Sequence, residues 1–203
     1  VNGWLNTRAF YDRVKKNFPD MSFWHPWHFD WRGRVMPIST VLSPQNDDFS
    51  RGVITFANAQ AIDETGVKWV RRVTASMYRG RPIPDNMSSD DKIHLEQLMT
   101  KLEDRSHESF DEVSNDIIFQ KMMKTIVDNP IDNYESWAKG DVFKSKAEGL
   151  QRLAVSRLFV KVIEGGVGTP TKLPLNLDAS SSIYQHASAL MRDKEMASKV
   201  NVL

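Results

Sequence analysis

Between Val67 and Ile163, apolar side chains return every three or four residues with few interruptions, and that spacing commits the middle of the chain to helices. Val67, Val70, Val73, Thr74 and Met77 share one face after a possible cap at Asp63 or Thr65, and Gly80 stands where a helix commonly ends. Ile93, Leu95, Leu98, Met99 and Leu102 mark a second helix. Phe110, Val113, Ile117, Met122 and Ile126 mark a third, closed by Pro130. A fourth is expected from Val142 to Ile163, ending at Gly165-Gly166. Ahead of this block, Leu5 to Phe18 has helical spacing that stops at Pro19. Behind it, a last helix is expected from about Ser182 to Lys199.

Extended structure is confined to short pieces. Phe23 to Phe29 suits an extended segment leading into Asp30-Trp31-Arg32-Gly33-Arg34, after which Val35 and Ile38 suggest a strand. Ser43-Pro44-Gln45-Asn46-Asp47-Asp48 reads as a turn. The loop Gly168-Thr169-Pro170 leads to a period-two stretch in which Leu173, Leu175 and Leu177 share one face, so Pro174, Asn176 and Asp178 share the other. The expected class is therefore α+β, mostly helical, with few strands.

At 203 residues, with 40% apolar and 26% charged residues, the chain is long enough to bury a core and ordinary enough to be globular. No apolar run approaches the roughly 20 residues that span a bilayer, so no membrane partner is expected. Cys is absent, which removes disulfide scaffolds, thiolate metal sites and thiol nucleophiles together. Trp4, Asn6 and Arg8 fit no signal-peptide pattern, and a cytoplasmic location is expected. His25 and His28 flank Pro26-Trp27 at a zinc-like spacing without a clustered third ligand, which favours packing. The six Trp residues read as core or interface anchors rather than as base-stacking platforms.

Net charge is only +1, so a basic surface must come from segregation along the chain. Arg51, Lys68, Arg71, Arg72, Arg79 and Arg81 stand against Asp63 and Glu64 alone, whereas Asp85 to Asp116 is strongly acidic. This pattern has two readings: a face that meets phosphate, or solvated helix surfaces. Asp178 is likewise open to two. A carboxylate at a strand end, followed by Ala179-Ser180-Ser181-Ser182 and a helix start, can hold Mg²⁺ while backbone N–H groups face an anion. The same residues also describe a helix cap.

Wider context weighs on that choice. Leu175-Asn176-Leu177-Asp178-Ala179-Ser180-Ser181-Ser182-Ile183-Tyr184-Gln185-His186 with Ser188-Ala189 and Arg192-Asp193 resembles the first catalytic motif of phage and mitochondrial RNA polymerases. Asp30-Trp31-Arg32-Gly33-Arg34 resembles that family's Asp-x-x-Gly-Arg segment beside the active site, and residues 43–57 and 66–69 resemble the family's segments C-terminal to it. The resemblance implies a polymerase palm with a helical insertion. Its parts would be a helical lead-in over 1–22, palm sequence over 23–62, the insertion over 63–166, and the catalytic strand with the start of the fingers over 167–203.

The same resemblance implies DNA-directed RNA synthesis by a two-metal mechanism with Mg²⁺. Asp178 would be the catalytic metal ligand, the Ala179 carbonyl a second donor, and Ser180, Ser181 and Ser182 the substrate-binding residues. Arg32, Gly33, Arg34, Gln185 and His186 would face nucleic acid. Gly33 would permit close backbone approach, and Arg34 would offer a planar fork of donors to phosphate. Ile183 and Ala179 depart from the family, which has Gly at the first position and often at the second. Related DNA polymerases place Glu where Ile183 stands, and its absence beside Gln185-His186 favours RNA synthesis.

Two metals need a second carboxylate, which the family carries in a His-Asp motif, and none of the five His residues precedes Asp here. The fingers helix with its Lys and Tyr is also absent. Either these residues are a fragment of a longer polymerase or the enzyme is divided between polypeptides; two-chain enzymes of this family occur in phages, so the resemblance favours a second polymerase chain as partner, beside DNA template, RNA product and nucleoside triphosphates. A noncatalytic nucleic-acid-binding factor on the same fold is the alternative.

Overall fold

The computed structural model describes residues 2–19, 21–31, 33–138, 149–174 and 183–199. Chain order among them begins with α1 (Asn2–Asn17), β1 (Trp27–Phe29), β2 (Val35–Pro37), α2 (Asp48–Val53), β3 (Gln60–Ala61) and α3 (Glu64–Met77). It continues with α4 (Ser89–Thr100), α5 (His107–Asn115), α6 (Ile117–Asp128), α7 (Tyr134–Ala138), α8 (Gly149–Gly165), β4 (Pro170–Thr171), α9 (Ile183–Met191) and α10 (Lys194–Lys199). Helices dominate. The strands form two small antiparallel pairs, β1 with β2 and β3 with β4, so the α+β expectation holds.

The core is helical and sits between α3, α4, α5, α6 and α8. Tyr78, Phe119 and Phe159 are fully buried and meet edge to face, with ring centroids 6.3 Å apart for the first pair and 5.9 Å for the second. Such packing adds about 0.5–1.5 kcal/mol per aromatic pair beyond the area removed from water. The Tyr78 hydroxyl is satisfied by Ser156 Oγ at 2.8 Å, and Ser156 Oγ also reaches the Arg152 carbonyl. Arg152 is buried too. Its guanidinium donates to the carbonyls of Met77, at the end of α3, and Trp137, in α7, so one cation closes two helix ends that would otherwise leave orphan acceptors.

Caps explain the boundaries. Asp63 caps α3 by accepting from the Gly66 amide at 2.6 Å, settling the choice between Asp63 and Thr65. Ser88 and Ser106 cap α4 and α5 in the same way. The helix expected across Phe110 to Ile126 is two helices, because Asp116 leaves the helical region at ψ 133° and its carboxylate caps α6 through the Ile118 and Phe119 amides. The last helix also divides. Arg192 turns left-handed at φ 53°, and the Asp193 amide reaches back to the Ser188 carbonyl, which ends α9 before Asp193 caps α10.

The short α2 and α7 have too few residues to show a period, so the sequence pattern does not mark them. Of the fourth expected helix, the portion from Gly149 onward is α8, and residues 142–148 lie outside the described residues. Of the strand expected over 173–178, Leu173 and Pro174 are not in a strand and the rest lies outside the described residues. The pairing instead uses Pro170 and Thr171, where the residue pattern suggests a loop.

Candidate nucleic-acid interface

The hairpin of β1 and β2 pairs Trp27 with Pro37, His28 with Met36 and Phe29 with Val35. Its turn is closed by two backbone bonds, Asp30 N–H to the Arg34 carbonyl at 2.9 Å and Gly33 N–H to the Asp30 carbonyl at 2.9 Å. Gly33 has φ +75°, and among the described residues no heavy atom lies within 4 Å of where its Cβ would be. Within this chain, then, Gly33 is required by conformation rather than by crowding.

Asp30 also fixes Arg34. Its Oδ1 accepts the Arg34 amide at 2.9 Å, and its Oδ2 accepts Nε at 2.6 Å and pairs with Nη2 at 2.6 Å. The carboxylate is 14% exposed and the guanidinium 59%, so the arginine is oriented from below and open above. That arrangement presents donors to an anion, but with part of the positive charge already answered. Arg32 lies outside the described residues.

Around this turn, Trp24 and Trp31 are each 85% exposed and Phe29 is 74% exposed. Burial within the described chain does not account for these rings, which corrects the core-anchor reading for Trp24 and Trp31. His25 packs edge-on to Phe23 and Trp27, at 5.2 and 6.4 Å between ring centres. Among the described residues no three His, Cys, Asp or Glu side chains gather as a metal site.

The turn at Ser43 to Asp48 forms, with the Asn46 amide on the Ser43 carbonyl at 3.1 Å. Its two carboxylates are structural. Asp47 caps α2 through the Ser50 amide, and Asp48 accepts the Leu150 and Gln151 amides at 2.7 and 3.1 Å, capping α8 from more than a hundred residues away. This second role has no sequence signal, since no local pattern links residue 48 to residue 150.

Segments adjoining the residues that carry the resemblance meet through β3 and β4. Gln60 pairs with Thr171 and Ala61 with Pro170, flanked by Phe56 N–H to the Lys172 carbonyl at 2.8 Å and Gly168 N–H to the Ile62 carbonyl at 2.8 Å. Residues 56–62 are thereby zipped to the segment that leads toward Asp178. Asp178, Ala179, Ser180, Ser181 and Ser182 themselves lie outside the described residues. Gln185 is in the first turn of α9, where its carbonyl accepts Ser188 Oγ at 2.8 Å; His186 comes next in the helix.

Two of the cations in the basic stretch have partners within the fold. Arg72 in α3 grips Asp111 in α5 with Nε and Nη2 at 2.7 and 2.6 Å, while its guanidinium lies 5.4 Å from the Trp69 ring centre. Arg71 bonds Asn115. The hydrogen bond from Arg72 holds the Asp111 carboxyl below the usual carboxylate range, and the same bond raises Arg72. These two arginines therefore brace α3 against α5, a use that neither reading of the charge run, phosphate-facing or solvated, includes.

No family model matches the chain. It is 27% identical over 182 residues to T7 RNA polymerase of Escherichia phage T7, covering 90% of this chain, and 28% identical over 194 residues to the DNA-directed RNA polymerase of Enterobacteria phage T3. It is 25% identical over 192 residues to DNA-directed RNA polymerase 2, chloroplastic/mitochondrial, of Nicotiana sylvestris. The chain is similar to DNA-directed RNA polymerases. It spans 17%, 18% and 16% of the lengths of these three relatives, and each match lies within one longer chain. Among the described residues no helix is long and apolar enough to cross a membrane.

Proposed function

We propose that this chain is the section of a DNA-directed RNA polymerase palm that supplies the first metal-binding aspartate and a phosphate-contacting arginine. The observation that carries the reading is similarity to named RNA polymerases over 90% or more of the chain. The β3–β4 pairing agrees with it, because residues 60–61 are joined to residues 170–171, a few positions ahead of Asp178 in the sequence.

In this reading Asp178 and the Ala179 carbonyl hold Mg²⁺, for which a carboxylate and a carbonyl oxygen are suitable hard donors. When bound, the ion stabilises charge on the transferring phosphoryl group. Ser180, Ser181 and Ser182 line the triphosphate side. Gln185 and His186, at the start of α9, face nucleic acid. Arg34, oriented by Asp30, contacts backbone phosphate, with Arg32 as a lesser contributor. Template DNA, RNA product and nucleoside triphosphates are the ligands.

One carboxylate would leave two Mg²⁺ ions short of anionic ligands, so in this reading a second Asp, with the fingers Lys and Tyr, would come from polymerase sequence other than these 203 residues. The relatives lend no support to dividing that sequence onto a second chain, because each match lies within one longer polypeptide. The two-chain arrangement rests on the resemblance alone, and a co-purifying chain bearing His-Asp is its test.

Primer extension by the completed polymerase tests the catalytic reading. Asp178→Asn is expected to abolish nucleotide addition while leaving the far-ultraviolet dichroism and melting temperature unchanged. Near-normal synthesis by that variant returns Asp178 to a helix-capping role. Nucleic-acid binding by the wild-type assembly without any synthesis makes the chain a noncatalytic binding factor.

A further inference from the structure

The hairpin of β1 and β2 has an apolar face that the phosphate reading of its turn does not use. Alternation along β1 puts Trp27 and Phe29 on one side, and the register sets Pro37 and Val35 opposite them on that same side. Edge-on contacts from Trp27 to His25 and from His25 to Phe23, at 6.4 and 5.2 Å between ring centres, carry the face back along the chain. Phe29 is 74% exposed, and Phe23, Trp27 and Val35 are each about half exposed. None of these six residues is Lys or Arg. The one polar side chain among them, His25, has its Nε2 shut off from water, without a hydrogen-bond partner among the described residues.

Such a face does not suit open water. Among the described residues β1 and β2 pair only with each other, and a two-stranded hairpin is marginal unless another element covers its apolar side. The rings are held in order by their mutual contacts and by the strand register, so the surface they offer is contiguous rather than scattered. Contiguous exposed apolar surface of this kind marks a protein contact.

We propose that this face is covered by an apolar surface of polymerase polypeptide other than these 203 residues. Charge and length decide the occupant. A nucleic-acid strand would bring phosphates to a face that has no Lys or Arg to answer them. The chain spans only 17%, 18% and 16% of the three relatives, each a single longer polypeptide. In the polymerase reading more than four-fifths of the enzyme therefore lies in other sequence, which supplies the covering surface. The proposal rests on that reading and adds a protein contact on the hairpin face to the nucleic-acid contact at its turn.

Hydroxyl-radical footprinting, read by mass spectrometry at Trp27 and Phe29, tests it on the 203-residue chain and on the completed polymerase free of nucleic acid. Both rings should oxidise readily in the isolated chain at every dilution, and several-fold more slowly in the completed polymerase. Phe29→Gln should leave the melting temperature of the isolated chain unchanged and lower that of the completed polymerase, because the ring is exposed in the first and covered in the second. Protection already present in the isolated chain overturns the proposal, in favour of a second copy where dilution removes it and of this chain's own residues where it does not. Protection that appears only after an oligonucleotide is added assigns the face to nucleic acid instead. Rings equally reactive in both proteins, in an assembly that extends a primer, overturn the docking face and leave the polymerase reading standing. Protected rings in an assembly that makes no RNA keep the contact and overturn the catalytic reading.

Discussion

The carboxylate of Asp48 accepts the backbone N–H of Leu150 at 2.7 Å, joining residues 102 positions apart in the chain. It takes the Gln151 amide and side chain as well, each at 3.1 Å, so one residue of α2 caps α8. Asp48→Ala exposes those first-turn donors and should destabilise the chain by about 1–2 kcal/mol, the usual cost of a lost N-cap. Urea denaturation measures this. A loss below about 0.3 kcal/mol would mean that water caps the helix equally well.

Gly52 and Gly33 make a contrast in why glycine is needed. A Cβ on Gly52 would stand 2.7 Å from Leu150 Cβ and 3.0 Å from the Leu150 carbonyl carbon, contacts that no side-chain rotation relieves. Gly52→Ala should therefore cost about 1–3 kcal/mol, and Leu150→Ala should not rescue it because alanine keeps the offending Cβ. Gly33→Ala meets open space and suffers only its positive φ, about 1 kcal/mol. Equal effects in thermal melts would show that α2 shifts freely over α8.

The depressed carboxyls set the acid limb of stability. Asp111 is held down chiefly by the Arg72 hydrogen bond, Asp91 by Lys121 and Ser88, and Asp104 by Ser106 and Ser109. In Asp116 burial pulls upward, but bonds from His94 and from the Phe119 and Ile118 amides outweigh it. A carboxyl lowered on folding contributes stability that is present above its unfolded value, about 4, and is lost as pH falls through the folded value. Stability should thus decline below about pH 4, and Asp111→Asn should flatten part of that decline. Burial pushes Tyr78 the other way, up to about 12. Its contribution is complete below about 10, the unfolded value, and is lost as pH rises toward about 12. Tyr78→Phe should remove that share of the alkaline loss, and an identical alkaline limb would show Tyr78 to be solvated.

The helical class was legible because apolar spacing is a local property, and α3, α4 and α6 bury most of the face that their sequence marks, Ile93 and Ile117 being the exposed exceptions. What escaped depends on distant or paired groups. Asp116 and Arg192 interrupt faces whose apolar period runs straight through them, so the breaks come from a carboxylate turning to cap and from a left-handed turn. The Asp48 cap and the Arg72–Asp111 brace need residues that only folding brings together. The Asp30–Arg34 turn was legible as a motif, yet its internal ion pair was not, because the spacing that suits phosphate also suits a neighbouring carboxylate.

The same ion pair governs how the hairpin should bind. Asp30 answers the Nε and Nη2 side of Arg34 and also holds its backbone amide, so the carboxylate both aims the guanidinium and cancels part of its charge. Arg34→Ala removes the donor and should weaken nucleic-acid binding while shallowing the salt slope by about 0.7–0.9. Asp30→Asn keeps an acceptor oxygen for the amide but withdraws the countercharge, so attraction to phosphate should strengthen at low salt, with the gain screened away as salt rises. Both variants, measured beside wild type over one salt series, separate aim from charge. If Asp30→Asn weakens binding as Arg34→Ala does, orientation by the carboxylate dominates. If neither variant moves affinity or slope, the hairpin makes no phosphate contact.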